Sequence, residues 1–152
     1  NDRPRELTAA GTDDVGFGCH HFHDLCHQRS LPNPDLVLHS DWTRASQTAD
    51  IISSAFTHAG MRVSHSLRPG STIAAVEGAI SDLQAMSDCP AHLVLVTHQP
   101  LVSRLVDHFL GERGRVPSLS PGGLAALEMD LPGADCARLL FWGVPPQYEG
   151  DA

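Results

Sequence analysis

The sequence has no apolar run long enough to cross a membrane and no surplus of basic residues. None of its apolar segments approaches the roughly 18 residues that a membrane-spanning helix needs. Its 18 acidic residues outnumber its 10 basic ones, which gives a formal net charge of −8. Because general nucleic-acid affinity requires a basic face, we expect neither a nucleic-acid nor a membrane partner, although a local basic pocket is compatible with this charge.

Cysteine is scarce as well, and a glycine-rich phosphate loop is missing. The cysteines show no disulfide-like spacing and no signal peptide is visible, so reduced thiols and a cytoplasmic location are expected. No GxxxxGK[ST] pattern occurs, which argues against a P-loop nucleotide-binding sheet. The cysteines are Cys19, Cys26, Cys89 and Cys136.

What the chain does contain is an alternation of helical and strand patterns. A length of 152 residues suffices for one domain with a sizeable core and is too short for two. The alternation predicts a single domain over residues 1–152, an α/β three-layer sandwich with a mostly parallel sheet and an antiparallel edge pair. Residues 145–152 are expected to form a loose tail. Helices are predicted at residues 8–28, 42–58, 73–86 and 101–110, and strands at residues 35–39, 61–67, 93–97, 124–129 and 137–142.

Polar residues follow two of the predicted strands at the point where each one ends. His98 comes directly after strand 93–97, and Arg44 lies in the first turn of the helix that follows strand 35–39. In an open α/β sheet, ligands bind beyond the carboxyl ends of the strands. There an imidazole, a guanidinium and the free N–H groups of a helix N-terminus suit a phosphoryl group, which carries about two negative charges. The pattern therefore predicts a phosphoryl pocket.

Four segments, taken in chain order, resemble the SixA-like branch of the histidine phosphatase superfamily. Residues 5–11 (RELTAAG) are similar to the branch's Arg-Pro-Leu-Thr-x-x-Gly, and residues 36–49 are similar to its strand followed by Ser-Pro-x-x-Arg-Ala-x-Gln-Thr-Ala. Residues 93–102 (LVLVTHQPLV) are similar to its strand followed by x-His-x-Pro-Leu-Val, and residues 122–125 fit the start of a late strand. The resemblance covers nearly the whole chain.

The resemblance implies a phosphoglycerate-mutase-like fold and a phosphatase that transfers a phosphoryl group to water through a phosphohistidine intermediate. Protein phosphohistidine is the expected substrate, with small phosphorylated compounds as the other possibility. Arg44, His98 and Arg5 are then the catalytic and phosphate-binding residues, which hold the phosphoryl oxygens during transfer. No metal or other cofactor is expected, because arginines and imidazoles supply the positive charge, and a monomer is expected.

The motif that defines the superfamily, an Arg-His-Gly at the end of its first strand, is absent from the sequence. Its histidine is the nucleophile that becomes phosphorylated. The superfamily places that strand immediately before Asn1, where this sequence has no initiating Met, so we expect a missing N-terminal segment, a sheet without its first strand and an inactive fragment. The alternative is a catalytically inactive pseudoenzyme that binds phosphate through Arg44 and His98.

Two further departures concern carboxylates. Asp41 stands where the branch has proline, and we expect it to cap the following helix with its carboxylate turned outward, since it would otherwise oppose phosphate. The phosphoglycerate-mutase branch uses a carboxylate after its third strand as a general acid. Residues 67–72 contain no carboxylate, and in this respect the sequence resembles the SixA-like branch, which also lacks it. This absence suits a phosphohistidine substrate, whose imidazole departs more readily than an alkoxide.

A zinc-binding module is the rival class of function. Cys19, His23, Cys26 and His27 share one side of the first predicted helix, and two of them could ligate zinc together. Four ligands from one straight helix cannot easily close a tetrahedron. The other interpretation is that the cysteines pack inward and the histidines flank them.

Overall fold

The computed structural model describes residues 2–57 and 59–150 as four α-helices, five β-strands and one short 3-10 turn. No helix within these ranges is both long and apolar enough to span a bilayer. The helices are α1 (Ala9–Gln28), α2 (Thr43–Ala55), α3 (Ile73–Gln84) and α4 (Leu101–Leu110), the strands are β1 (Leu36–His39), β2 (Gly60–Val63), β3 (Leu93–Val96), β4 (Leu124–Met129) and β5 (Ala137–Gly143), and the 3-10 turn is His65–Leu67.

β1 is the central strand of a three-stranded parallel sheet with the order β2–β1–β3. His39, the last residue of β1, lies opposite Val63 of β2 and Val96 of β3, so the three strands end at the same level. β4 and β5 form an antiparallel pair. The predicted α/β class with a mostly parallel sheet and an antiparallel pair is confirmed. Within the described residues that pair is hydrogen-bonded as a sheet of its own.

The helices cover both faces of the parallel sheet. Successive residues of β1 point to opposite sides, so this strand contacts a helical layer on each face. Val37 packs with Ala45 and Ala49 of α2, whose small side chains let the helix lie close to the strands. Leu38 points the other way, into a cluster that includes Leu105 and other buried residues of α3 and α4. Each buried leucine stabilises the fold by roughly 1.5–3 kcal/mol, so this two-sided core fixes the three layers.

The same helical layers also cover the antiparallel pair. Phe22 of α1 contacts both His92, just before β3, and Phe141 of β5, with ring centroids 5.5 and 5.6 Å apart. On the opposite face, the core built by α3 and α4 contacts Leu95 of β3 and Leu127 of β4. β3 and the β4–β5 pair therefore lie between shared helices, although no backbone ladder joins them within the described residues.

Three predicted element ends are wrong by two or more residues, and one of them is α3, which ends at Gln84 instead of residue 86. α2 ends at Ala55 instead of residue 58, because Phe56 leaves the helix and buries its ring edge-on against Phe22, 5.9 Å away. Residue 58 itself lies outside the described residues. β2 ends at Val63 instead of residue 67, since the 3-10 turn carries Leu67 into the core.

The expected loose tail is wrong for residues 145–150, which dock on the domain through Tyr148. This side chain is 1% exposed, and its hydroxyl oxygen lies 2.9 Å from the Asp14 carbonyl and 2.8 Å from the Gly122 carbonyl. Its ring covers Gly18 in α1, where a Cβ would lie 2.6 Å from the ring. Glycine is unfavourable inside a helix, yet any larger residue here would collide with Tyr148. Residues 151 and 152 lie outside the described residues.

Candidate functional site

The carboxyl ends of β1 and β3 bring Ser40 and His98 into direct contact. His98 Nε2 lies 2.9 Å from Ser40 Oγ, and Ser40 is fully buried. The same hydroxyl oxygen accepts a hydrogen bond from the Trp42 backbone N–H at 3.2 Å, and the Trp42 ring packs edge-on against the imidazole at 5.3 Å. The position of His98 is therefore fixed by a hydroxyl and an indole from the β1–α2 loop.

Arg44 lies in the first turn of α2, close enough to His98 for their charges to interact. The pKa of His98 is lowered, first by burial of the imidazole and then by the positive charge of Arg44. The carboxylates of Asp2 and Asp41 act in the opposite direction. His98 is consequently neutral near pH 7, and the two residues that sequence patterns placed at separate strand ends share one site.

Arg44 and Arg5 converge on the carboxylate of Asp2. Arg44 Nη1 lies 3.1 Å from Asp2 Oδ1, and Arg5 Nη1 lies 3.6 Å from the same oxygen. These contacts lower the pKa of Asp2, the hydrogen bond from Arg44 being the largest cause. Because carboxylate and phosphoryl oxygens are acceptors of the same kind, the two guanidinium groups point at a position that suits an anion. The structure thus gathers Arg5, Arg44 and His98 at one edge of the sheet.

The N-terminus of α2 is less open than expected. Trp42 is the N-cap residue and makes no side-chain capping bond, so the prediction that Asp41 caps this helix is wrong. The Thr43 N–H donates to the Arg3 carbonyl at 3.1 Å. The first N–H group that was expected to face a phosphoryl group is therefore already bonded to the N-terminal segment.

Asp41 instead binds two arginines that sequence reasoning missed. Its carboxylate accepts hydrogen bonds from Arg68 Nε at 2.8 Å and Arg68 Nη2 at 2.6 Å, and a third from Arg3 Nη2 at 2.8 Å. The Arg68 guanidinium holds the pKa of Asp41 well below its usual range. A bidentate charged partner satisfies the carboxylate better than a helix N-terminus does, which is why Asp41 does not cap α2. The departure from proline at this position was the sequence signal that could have pointed to this group.

The rival zinc site does not assemble. Among residues 2–57 and 59–150, no group of three or more histidine, cysteine, aspartate or glutamate side chains could hold a metal ion. Cys19 and Cys26 are buried, and burial raises the pKa of each thiol to about 11, so both stay protonated. The His23 ring packs 5.6 Å from Phe56, and with His27 it lines a shallow surface cavity beside Cys26. This arrangement favours cysteines that pack inward with flanking histidines.

Solved structures share the fold, whereas no protein-family model and no curated protein matches the sequence. The protein histidine phosphatase SixA complexed with tungstate matches with a TM-score of 0.74 at 21% identity, over 95% of this chain and 87% of that chain. SixA from Agrobacterium tumefaciens gives a TM-score of 0.75 at 23% identity, with the same coverage. A mycobacterial glucosyl-3-phosphoglycerate phosphatase in complex with VO3 gives 0.65 at 18% identity, over 94% and 91%. The chain therefore has the fold of SixA and related histidine phosphatases, as its motifs implied.

Proposed function

We propose that this chain is part of a phosphatase that transfers a phosphoryl group to water through a phosphohistidine intermediate, with protein phosphohistidine as its main substrate, and that without the nucleophile histidine the chain alone is inactive. One observation carries the proposal: Arg44 and Arg5 converge on a single carboxylate oxygen at the strand edge that holds His98. The shared fold supports it, since the solved structures named above are of phosphatases. In the proposed complex, phosphoryl oxygens replace the Asp2 carboxylate.

Each cationic or polar side chain has its own task in this proposal. Arg44 and Arg5 donate to the equatorial oxygens, over which charge is spread in the transition state of phosphoryl transfer. His98 supplies a donor whose position is fixed by Ser40 and Trp42. A bound phosphoryl dianion raises the pKa of the imidazole, so His98 gains a proton and a second N–H when substrate binds.

The nucleophile in this proposal is a histidine on a further strand. His98 and His39, which flank the strand ends, are both bound to Ser40: His98 at the hydroxyl, and His39 through Nδ1, 2.9 Å from the carbonyl. β3 has no ladder partner on its outer edge within the described residues, and α1 and α4 cover both faces of the space beside it. A parallel strand inserted there would bring its carboxyl end beside that of β3, which His98 follows.

Two bond exchanges complete the reaction. In the first, an imidazole nitrogen of the nucleophile forms a P–N bond while the P–N bond of the substrate breaks, and the departing imidazole takes up the proton that the nucleophile's ring gives up. In the second, a water oxygen forms a P–O bond while the P–N bond to the nucleophile breaks, and one water proton returns to the ring as phosphate leaves. Positioning and charge stabilisation by the arginines account for most of the catalysis.

The carboxylates beside the site favour a leaving group that needs no strong acid. Arginines lower the pKa of both Asp2 and Asp41, so neither carries a proton at neutral pH. Residues 67–72 contribute Arg68 and no carboxylic acid. Because an imidazole departs more readily than an alkoxide, phosphohistidine is proposed ahead of small phosphoesters.

The test uses the full-length protein and measures phosphate released from a phosphohistidine peptide, phosphoramidate and p-nitrophenyl phosphate. We expect the highest kcat/KM with the phosphohistidine peptide and an acid-labile, base-stable phosphoenzyme after rapid quenching. His98→Ala should lower turnover about tenfold to a thousandfold, as loss of a preorganised donor does, while Arg62→Ala in β2 should leave it unchanged. Release from none of the three substrates would contradict the proposal.

A phosphate-binding pseudoenzyme is the second candidate, because both histidines at the strand ends are already bound to Ser40. It predicts that the full-length protein binds inorganic phosphate in calorimetry without turning over any substrate.

In either case we propose a monomer in the cytoplasm, where the four free cysteines stay reduced.

A further inference from the structure

Gln47 of α2 binds the chain segment that carries Arg5, and we propose that it is the positioning residue that keeps this arginine at the phosphoryl pocket. The inference rests on the proposed function, since it concerns how one of the two phosphate-binding arginines is held. Gln47 Oε1 accepts a hydrogen bond from the Leu7 backbone N–H at 2.7 Å. The two residues are 40 positions apart in the sequence, so this bond joins the N-terminal segment to the helix that carries Arg44.

Arg5 has an exposed side chain whose contact with Asp2 is long. The side chain is 69% exposed, and the two charged groups are 3.6 Å apart. An exposed arginine samples many rotamers and loses that freedom when it binds a ligand. In the proposed complex, phosphoryl oxygens replace the Asp2 carboxylate, so this contact is lost when substrate binds. A hold on Arg5 that survives substrate binding must therefore act on its backbone.

Two hydrogen bonds to α2 hold the backbone on either side of Arg5. On the N-terminal side, the Thr43 N–H donates to the Arg3 carbonyl at 3.1 Å. On the C-terminal side, the Leu7 N–H donates to Gln47. Each bond lies two residues from Arg5 along the chain. Neither bond uses the carboxylate that a phosphoryl group would displace, so both remain when substrate binds.

The two bonds start from one face of α2, and Arg44 lies between them. Thr43 and Gln47 are four residues apart, which makes them neighbours on the helix surface. The first bond comes from a backbone group and forms with any residue except proline at position 43. The second bond depends on the side chain of Gln47. Gln47 is therefore the side chain that fixes the distance between the segment of Arg5 and the helix of Arg44.

The bond from Leu7 to Gln47 lies between two helices. Both residues are half-buried, which reduces the competition from water for the bond. Leu7 directly precedes Thr8, the N-cap residue of α1, whose hydroxyl accepts a hydrogen bond from the Gly11 N–H at 2.9 Å. The start of α1 thus fixes Leu7 from one side and α2 fixes it from the other.

The consequence is a common frame for two arginines that come from distant parts of the chain. A misplacement of about 1 Å is enough to cost a catalytic group much of its effect. With Gln47 in place, Arg5 and Arg44 are held by the same helix and address oxygens of the same phosphoryl group. Without it, Arg5 keeps its charge but loses its fixed position.

The first experiment measures the binding of inorganic phosphate to the full-length protein by calorimetry. Gln47→Met keeps the size of the side chain and removes the acceptor, so we expect the affinity to fall about threefold to tenfold, as loss of one hydrogen bond does. In an Arg5→Ala background the same change should cost less than about twofold, because the group that Gln47 positions is gone. Gln84→Met is the matched control. It removes a glutamine bond to the Asp130 carbonyl at 2.9 Å in α3 and should leave the affinity unchanged.

Amide hydrogen exchange shows whether Gln47 acts through the proposed bond. We expect the Leu7 N–H to exchange at least about threefold faster in Gln47→Met than in wild type, while the amides in the middle of α2 keep their protection. A melting curve confirms that each variant is folded. An unchanged exchange rate at Leu7, equal losses of affinity in Gln47→Met and Gln84→Met, or full additivity with Arg5→Ala would overturn the positioning role.

Turnover of phenyl phosphate separates this role from the proposed function. If wild type binds phosphate but turns over no substrate, the phosphatase proposal fails, whereas the binding experiment still decides the role of Gln47. If wild type turns over phenyl phosphate and Gln47→Met has the same kcat/KM, the positioning role fails and the phosphatase proposal stands. A wild type that binds no phosphate would overturn both.

Discussion

The carboxylates of Asp2 and Asp41 bind arginines at the same strand edge, but the two groups differ in contact geometry and in exposure to solvent. Asp2 makes contacts of 3.1 and 3.6 Å with two arginines, and its side chain is 51% exposed. Asp41 accepts bonds of 2.6–2.8 Å, two of them from one guanidinium, and is 17% exposed. Long, exposed ion pairs contribute little to stability and exchange readily, whereas short bidentate ones fix geometry. The Asp2 group is thus suited to give way to a ligand, and the Asp41 group to hold a side chain in place.

The largest effect on turnover is expected from Arg44, which binds the exchangeable Asp2 carboxylate and, in the proposed complex, the phosphoryl group. Arg44→Ala in the full-length protein should lower turnover of phenyl phosphate about a hundredfold to a thousandfold, because a preorganised donor to the transition state is lost. Steady-state kinetics measure this, with Arg62→Ala as the matched control on β2. A loss of less than about threefold, under 1 kcal/mol, would show that Arg44 does not contact the transferring group.

Acid titration sharpens the same comparison. Both aspartates have a folded-state pKa below the ordinary 3.8, and that of Asp41 is lowered further. Their contribution to stability is therefore complete above the unfolded-state pKa and is lost as pH falls through the folded-state value. Side-chain carbonyl NMR should show Asp2 taking up its proton while Asp41 is still ionised. The reverse order would mean that the Asp41–Arg68 pair is the weaker one in solution.

Local signals in the sequence predicted much of the fold and the placement of Arg44 and His98 at one edge of the sheet. Thr8 caps α1 through its bond to the Gly11 N–H, and Gly111 ends α4 in the left-handed conformation, with φ of 68°. The positions of Arg44 and His98 followed from strands that end at one edge. All of these depend on residues within a few positions of each other or on the parallel order of the strands.

The remaining features depend on contacts between distant residues, which no local pattern encodes. Asp41 and Arg68 are 27 residues apart, and Tyr148 reaches a carbonyl 134 residues away. Because such contacts follow from tertiary packing, the sequence could mark Asp41 as unusual, but its arginine partners and the docking of the tail were visible only in the structure.

A smaller effect is expected from removing the carboxylate that occupies the proposed phosphoryl position. Asp2→Asn should strengthen binding of inorganic phosphate about twofold to fivefold, because a weak, exposed competitor for Arg44 and Arg5 is lost. Asp13→Asn, which removes an exposed carboxylate of α1, is the charge-matched control. Calorimetry at one ionic strength measures both variants. Equal gains in the two would assign the effect to net charge, not to displacement of Asp2.

The smallest effect concerns how Arg44 acts on His98. Burial is the larger cause of the lowered His98 pKa and Arg44 the next, so Arg44→Gln should raise that pKa only part of the way to 6.5. Because the folded-state pKa of His98 is lowered, its contribution to stability is complete above the unfolded-state pKa of 6.5 and is lost as pH falls from 6.5 to the folded-state pKa. Arg44→Gln brings the two pKa values closer together, so the pH range over which stability is lost should become narrower. Titration of the imidazole C–H resonances measures the change, and Arg62→Gln should leave it unaltered. Full recovery to 6.5 would mean that charge, not burial, sets the pKa. The imidazole would then be solvated, and the donor geometry that Ser40 and Trp42 impose on it would not hold in solution.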